Sequence, residues 1–233
     1  MKRLLNASLI LAALALALPA AAQEEAPAVP VDKAPFHVPV FRNDYVALVN
    51  VYIPPGRVAG YHTHSLDQIS VLVADADMVG QVLGEQPTPP RRNPRGNVNY
   101  VAYSKKAITH KVSNVGSTPF HNVVLSLMYP EPGRFTAGAR ADVAGYTQIL
   151  DNERVRGWRL VLEPGQSVAA ITQKAPGIRV AIDGGELAEN VPGQAERGMA
   201  PKSGEFFWQE PGVTRAMRNT GTSRIQLVEF ELK

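Results

Sequence analysis

The apolar positions of this chain come in short runs, not in long helical stripes. Residues 45–53, 68–73, 122–127, 159–162, 177–182 and 225–230 are rich in Val, Ile, Leu and aromatics, and clusters of Pro, Gly and Asn separate them. Runs of that length between turn-forming residues read as β-strands. Helical periodicity of useful length is absent, and residues 136–149 are the best candidate for a short helix or a loop connection. The pattern predicts an all-β sandwich or barrel with few short helices.

The N-terminus follows a different rule. Lys2 and Arg3 precede an apolar stretch over residues 4–18, broken by Asn6 and Ser8. Pro19 and Ala20-Ala21-Ala22 then lead to Gln23. A basic start, a short apolar region and small residues at the end read as a signal peptide over 1–22, cleaved near Ala22–Gln23. The stretch is short for a bilayer span, which needs about 20 residues. The expectation is a periplasmic or secreted protein, with no membrane contact after cleavage. Residues 23–35 (QEEAPAVPVDKAP) carry too few apolar groups to bury and read as a flexible leader.

The rest of the chain repeats itself. Val40-Phe41-Arg42-Asn43-Asp44-Tyr45-Val46, leading to Pro55-Gly56, resembles Ile149-Leu150-Asp151-Asn152-Glu153-Arg154-Val155, leading to Pro164-Gly165, at a constant offset of 109. Further on, Asn114-Val115-Gly116-Ser117-Thr118 matches Asn219-Thr220-Gly221-Thr222-Ser223 at an offset of 105. Matches held in register at both ends of a unit argue for a duplicated domain. The turn-rich Pro130-Glu131-Pro132-Gly133 places the boundary, giving units of 36–131 and 132–233.

Composition narrows the chemistry. Without Lys2 and Arg3 the 24 basic residues become 22, against 21 acidic ones. That balance gives no reason to expect a nucleic-acid partner. There are no cysteines, so thiolate ligands and disulfides are excluded, and any metal must be held by nitrogen and oxygen.

Candidate ligands are present in the first unit. His62 and His64 are two apart, so on a strand they face the same side. Gln68 and Ser70 share that parity if the strand is unbroken, whereas Asp67 faces the other way. His110 lies far along the chain, but closing a small barrel can bring it opposite the first pair. Three imidazoles meeting there would suit Zn, Cu, Fe or Ni, so ligand type alone leaves the metal open. His37 and His121 read as structural. Tyr52 and Tyr61 either stack on a substrate or pack. Trp158 and Trp208 read as core packing. Residues 86–97, with Arg91, Arg92 and Arg95 among prolines, read as a solvated loop, with a lid or partner contact as the other option.

The spacings Gly56, His62, His64, Gln68, Asp75, then His110 and Asn114, resemble the two motifs of the cupin superfamily, G-x5-H-x-H-x3,4-E-x6-G and G-x5-P-x-G-x2-H-x3-N. Gln68 replaces the usual Glu, Asp75 the closing Gly, and Asn99, Lys105 and Ala107 the glycines and proline before His110. In the second unit Gly165, Gly184, Gly204, Gly212 and Asn219 keep the backbone positions, while the ligand positions are Ile171, Gln173, Gly177 and Arg215. The resemblance covers nearly all of 36–233. It implies a bicupin of two tandem jelly-roll barrels. The first would hold one divalent metal ion (Fe, Mn, Zn, Ni or Cu) on His62, His64 and His110 with Gln68 beside it. The second would hold none. Arg215 would either bind a buried anion or pair with a carboxylate. Relatives commonly pair through barrel edges, so a homodimer is also implied.

Without a Glu ligand the centre would keep its full double positive charge and favour anionic or chelating oxygen ligands. Tyr61 and Ser70 are further candidate contacts for such a small molecule. Three readings follow: a metal-dependent oxidoreductase, dioxygenase-like or isomerase-like, acting on a small oxygen-rich molecule; a non-catalytic module binding a metal or small ligand; and a structural bicupin.

Overall fold

The computed structural model describes residues 26–129 and 131–233, so the signal-peptide reading lies outside the described residues. The first unit holds ten strands: β1 (Val29–Pro30), β2 (His37–Arg42), β3 (Val46–Ile53), β4 (His62–His64), β5 (Gln68–Leu72), β6 (Ala76–Val82), β7 (Arg91–Asn93), β8 (Val98–Val101), β9 (Ile108–Asn114) and β10 (Phe120–Leu127). The second holds nine: β11 (Tyr146–Asp151), β12 (Val155–Leu162), β13 (Ser167–Thr172), β14 (Gly177–Asp183), β15 (Leu187–Asn190), β16 (Arg197–Met199), β17 (Phe206–Gln209), β18 (Thr214–Asn219) and β19 (Ile225–Leu232). The segment over 136–149 forms no helix. Among the described residues the one helical piece is a 3-10 turn at Val31–Lys33, and no helix is long and apolar enough to cross a membrane.

Each unit is a pair of sheets, and no sheet mixes strands of the two. The first unit has the orders β1-β4-β9-β6-β7 and β2-β3-β10-β5-β8; the second has β11-β12-β19-β14-β17 and β13-β18-β15-β16. The runs that look uniformly apolar in sequence are strands buried on both faces. In β19, Ile225 and Leu227 face the interior of their own barrel. Val228, Phe230 and Leu232 face outward and join Val46, Leu48, Ile69, Val71, Val123 and Leu125 in one core between the barrels. Phe41 and Tyr45 stack on Trp208 across this seam.

Polar clasps fix the register of the two barrels. Arg154 reaches the Asp67 carboxylate at 3.0 Å, and Tyr100 Oη and Ser104 N donate to the same carboxylate at 2.8 and 3.0 Å. Burial pushes the Asp67 pKa up, but these hydrogen bonds and the Arg154 charge outweigh it and hold the group below its ordinary value. Arg95 pairs with Asp183 at 2.7 Å and meets Ser203 Oγ at 3.2 Å. The 86–97 segment is therefore not merely a solvated loop: it supplies β7 and a clasp onto the second barrel.

The leader expected over 23–35 is corrected in its second part. Val29 and Pro30 run parallel to His62 and Thr63, and Ala34 is buried. Phe36 adopts a left-handed backbone (φ 66°) that turns the chain into β2.

The duplication is visible atom by atom. Asn114 Nδ2 donates to Ile53 O at 2.9 Å and Thr118 O at 2.8 Å, and Gly116 N donates to Asn114 Oδ1 at 3.0 Å. Asn219 Nδ2 donates to Leu162 O at 2.9 Å and Ser223 O at 2.8 Å, and Gly221 N donates to Asn219 Oδ1 at 3.0 Å. Where the first unit has Gln68, the second has Gly177, and a Cβ there would stand 1.9 Å from the Phe230 carbonyl oxygen. Backbone cannot yield as a side chain can. Gly177→Ala is expected to cost about 3 kcal/mol or more in urea unfolding. Gly198→Ala, with open space around it, should stay within about 0.5 kcal/mol.

Candidate metal centre

Strand β4 is three residues long, and its alternation decides the site. His62 and His64 point into the barrel and are buried. Thr63 points the other way and meets Thr109 hydroxyl to hydroxyl at 2.9 Å. Antiparallel β9 places His110 directly opposite His62. The Nε2 atoms of His64 and His110 are 3.0 Å apart, and those of His110 and His62 are 3.1 Å apart. One potential ligand atom from each of the three residues lies within 4.8 Å of the others.

Second contacts orient these rings. His62 Nδ1 lies 3.0 Å from Gly60 O and 3.2 Å from Ala59 O. Carbonyl oxygens only accept, so Nδ1 carries the proton and Nε2 presents a lone pair. A single proton on His110 Nε2 can be donated to only one of its two close neighbours and leaves the other ring nitrogen without a donor. A cation resolves both. Two nitrogens bound at about 2.1 Å to one ion and a right angle apart stand about 3.0 Å from each other, which is the separation found here. The donor set fits a divalent ion.

The protonation states agree. Burial, followed by the charges of the neighbouring imidazoles, lowers His64 to about 3 and His110 to about 4. Burial also lowers His62, against the opposing carbonyl contacts. All three are neutral at pH 7, the form that binds metal.

Gln68 begins β5 in the facing sheet and lies close enough to the His64 ring to oppose the lowering of its pKa. It lines, with Ser70, a cavity of about 180 Å³ that also holds the three histidines. Asp67 faces away, as strand parity requires, and is used in the clasp to Arg154. No carboxylate is among the residues that line this cavity. Asn122 is also on its wall, and its Oδ1 is buried without a protein hydrogen-bond partner.

The other sequence candidates are placed as follows. Tyr61 is not on the cavity wall; it is buried outside it with the Lys111 ammonium 4.8 Å from its ring. Tyr52 is half exposed against His121. His121 Nε2 donates to Asn50 Oδ1 at 2.8 Å, away from the cluster. Two residues were missed. His37 lines the cavity with its ring centroid 4.7 Å from that of His62, and its Nδ1 donates to Pro35 O at 2.9 Å. Tyr103 stacks on His64 at 4.9 Å. Arg215 lies in the second barrel across from Ile171, as His110 lies across from His62.

Two tandem jelly rolls joined back to back, with a histidine cluster inside the first, are the bicupin fold. No family model and no curated protein matches the sequence. Among solved structures the chain is similar to AerE from Microcystis aeruginosa, with a TM-score of 0.59 at 13% identity, covering 86% of this chain and 98% of that one. It is also similar to a salicylate 1,2-dioxygenase from Pseudaminobacter salicylatoxidans, with a TM-score of 0.58 at 13% identity, covering 84% and 75%. A cupin 2 conserved barrel domain protein from Leptotrichia buccalis gives 0.52 at 7% identity, covering 84% and 88%. At such identities the likeness is one of fold.

Proposed function

We propose that this chain is an exported, mononuclear metal-dependent enzyme that acts on a small, oxygen-rich or anionic molecule by dioxygenase-like chemistry. The observation that carries this reading is the convergence of three neutral Nε2 atoms in a cavity whose wall holds no carboxylate. A divalent ion held by His62, His64 and His110 would supply Lewis acidity and, if redox-active, electrons for reaction with dioxygen.

The remaining work falls to the chain. His62 is kept in one tautomer by the carbonyls of Ala59 and Gly60. Gln68 contributes no charge, so an anionic oxygen ligand is needed to neutralise the centre. Tyr103 covers one face of His64 and shields it from water. Ser70 and the unpartnered Asn122 Oδ1 offer polar contacts on the cavity wall. Among the described residues no carboxylate lines the cavity, which weighs against hydrolysis. The kinship in fold with a salicylate 1,2-dioxygenase supports oxygen chemistry on a small aromatic or enolic acid. Export rests on the basic, apolar and small-residue order of residues 1–22.

The same lack of a general base favours a second reading, a module that captures a metal or small ligand without turnover. Metal analysis of the purified chain separates the two. Iron or manganese near one per chain, with oxygen uptake on an enolic or hydroxy-aromatic acid, is the expected result. Zinc or copper without turnover would select the binding module, and a metal-free chain would overturn the enzyme and the metal-binding form of the module.

Gln68→Glu tests the charge argument. Adding a carboxylate beside three imidazoles is expected to tighten divalent-ion binding by about tenfold or more. It should also lower the stability of the metal-free protein, because a buried carboxylate without a cation is costly. Competition titration with a chelator reads the first effect and thermal melting the second. Unchanged affinity would place Gln68 outside the reach of the ion.

A further inference from the structure

The second barrel has lost its histidines, yet its interior is not neutral ground. Arg140, Arg179, Glu229 and Glu231 form a closed ionic network there: Arg140 pairs with both glutamates, and Arg179 Nε meets Glu229 at 2.6 Å. Arg179 also holds Glu189 at 3.2 Å. Arg215, at the position equivalent to His110, stands outside this closure. Its one ion pair among the described residues, Nε to Glu189 at 3.6 Å, is too long for a hydrogen bond. Nε is buried without a hydrogen-bond partner. The two terminal nitrogens make no hydrogen bond to the described protein, and they are not among its buried unpartnered atoms. They are therefore not sealed off, and Arg215 borders a small interior gap beside Glu229 on one side and a larger opening on the other.

That side is a cavity of about 360 Å³ at the barrel mouth, whose wall includes Arg215, Arg197, Arg179, Glu189, Phe207 and Met199. Arg197 is exposed at its rim, with Met199 Sδ at 4.0 Å. The three interior arginines are matched by Glu189, Glu229 and Glu231, so Arg197 leaves the mouth positive. Burial and the adjacent Arg179 charge lower the Arg215 pKa. A guanidinium does not give up its proton under these conditions, so the strain is relieved by bringing in negative charge.

We infer that the mouth of the second barrel is a binding site for a small carboxylate, held by the unpaired terminal edge of Arg215 with Arg197 at the rim. The planar fork of a guanidinium matches the two oxygens of a carboxylate. Glu189 occupies the Nε side and leaves the terminal edge open. Phe207 and Met199 give the ligand's carbon body an apolar wall. In each barrel a cation at the same register position, an ion in one and a guanidinium in the other, would then select anions.

Benzoate is the probe, with benzamide as its uncharged counterpart, measured by calorimetry on the full chain at fixed ionic strength. One benzoate per chain is expected at the second barrel, with benzamide silent. His62→Ala, which disables the first barrel's cluster, should keep that binding. Arg215→Gln should weaken it at least tenfold. The inference is overturned if benzoate does not bind, if His62→Ala abolishes binding, if Arg215→Gln leaves it unchanged, or if benzamide binds equally well. Should Arg215→Gln fail to fold, crystals of the unaltered chain soaked in 4-bromobenzoate decide: a bromine signal beside Arg215 supports the site, and one confined to the histidine cavity, or none, overturns it.

Discussion

The His110→Ala protein is expected to fold normally and to lose divalent-ion affinity by at least about 100-fold. Outer hydrogen-bond partners of metal ligands already carry effects of about 10- to 100-fold, and His110 is the common neighbour of the other two rings. Removing it leaves His62 and His64 as two ligands on one short strand. Elemental analysis after gel filtration should show metal falling from near one per chain to near zero, with the melting temperature of the metal-free protein little changed. His121→Ala is the control, since His121 is bound to Asn50 outside the cluster. Full metal content in the His110→Ala protein would refute the three-histidine centre.

The largest loss of stability is expected from Arg140→Ala in the other barrel. Arg140 is fully enclosed, pairs with Glu229 and Glu231, donates to Gln173 Oε1 at 3.1 Å, and lies 4.2 Å over the Trp158 ring. Among the described residues, its removal leaves the buried Glu231 without an ion-pair partner and Glu229 with Arg179 alone, and breaking a buried pair in this way typically costs about 3–5 kcal/mol. Urea unfolding at pH 7 should show this; a loss below about 1 kcal/mol would mean the network is dispensable. The pH dependence carries the same sign. Burial pushes Glu229 up from 4.5, but Arg179 and Arg140 overcome it and hold it at about 2. A depressed folded-state pKa adds stability above about 4.5 that is lost as the pH falls toward 2. The wild type should therefore weaken over that window.

Much of the histidine cluster is legible because strands have a period of two. His62 and His64 had to share a face, Asp67 had to turn away from Gln68, and the Asn114 and Asn219 turns had to match. These are local consequences of alternation, and the structure follows them. What alternation does not report is which distant segment enters a barrel. Arg140 lies in a stretch that looks like a helix or a loop, and nothing local says that its guanidinium crosses into the second interior. The alternation of Glu229 and Glu231 with Val228, Phe230 and Leu232 does mark two acids on an inward face in need of cations. His37 was read as ordinary because it precedes β2, yet the Phe36 turn and the Pro35 carbonyl set it against His62. The part of the leader from Val29 onward looked too polar to order, but one edge of β4 was open to receive it. Tyr61, one residue before β4, lies off the cavity wall that His62 lines.

The paired asparagine turns have a practical consequence for how the protein is assembled. One barrel closes around imidazoles and the other around guanidinium and carboxylate groups, yet both keep the same bracing to within a tenth of an ångström. The scaffold is thus indifferent to what fills it. Unlike a zinc finger, whose shape arrives with its ion, this scaffold is braced by backbone and asparagine contacts that do not involve the contents of either barrel.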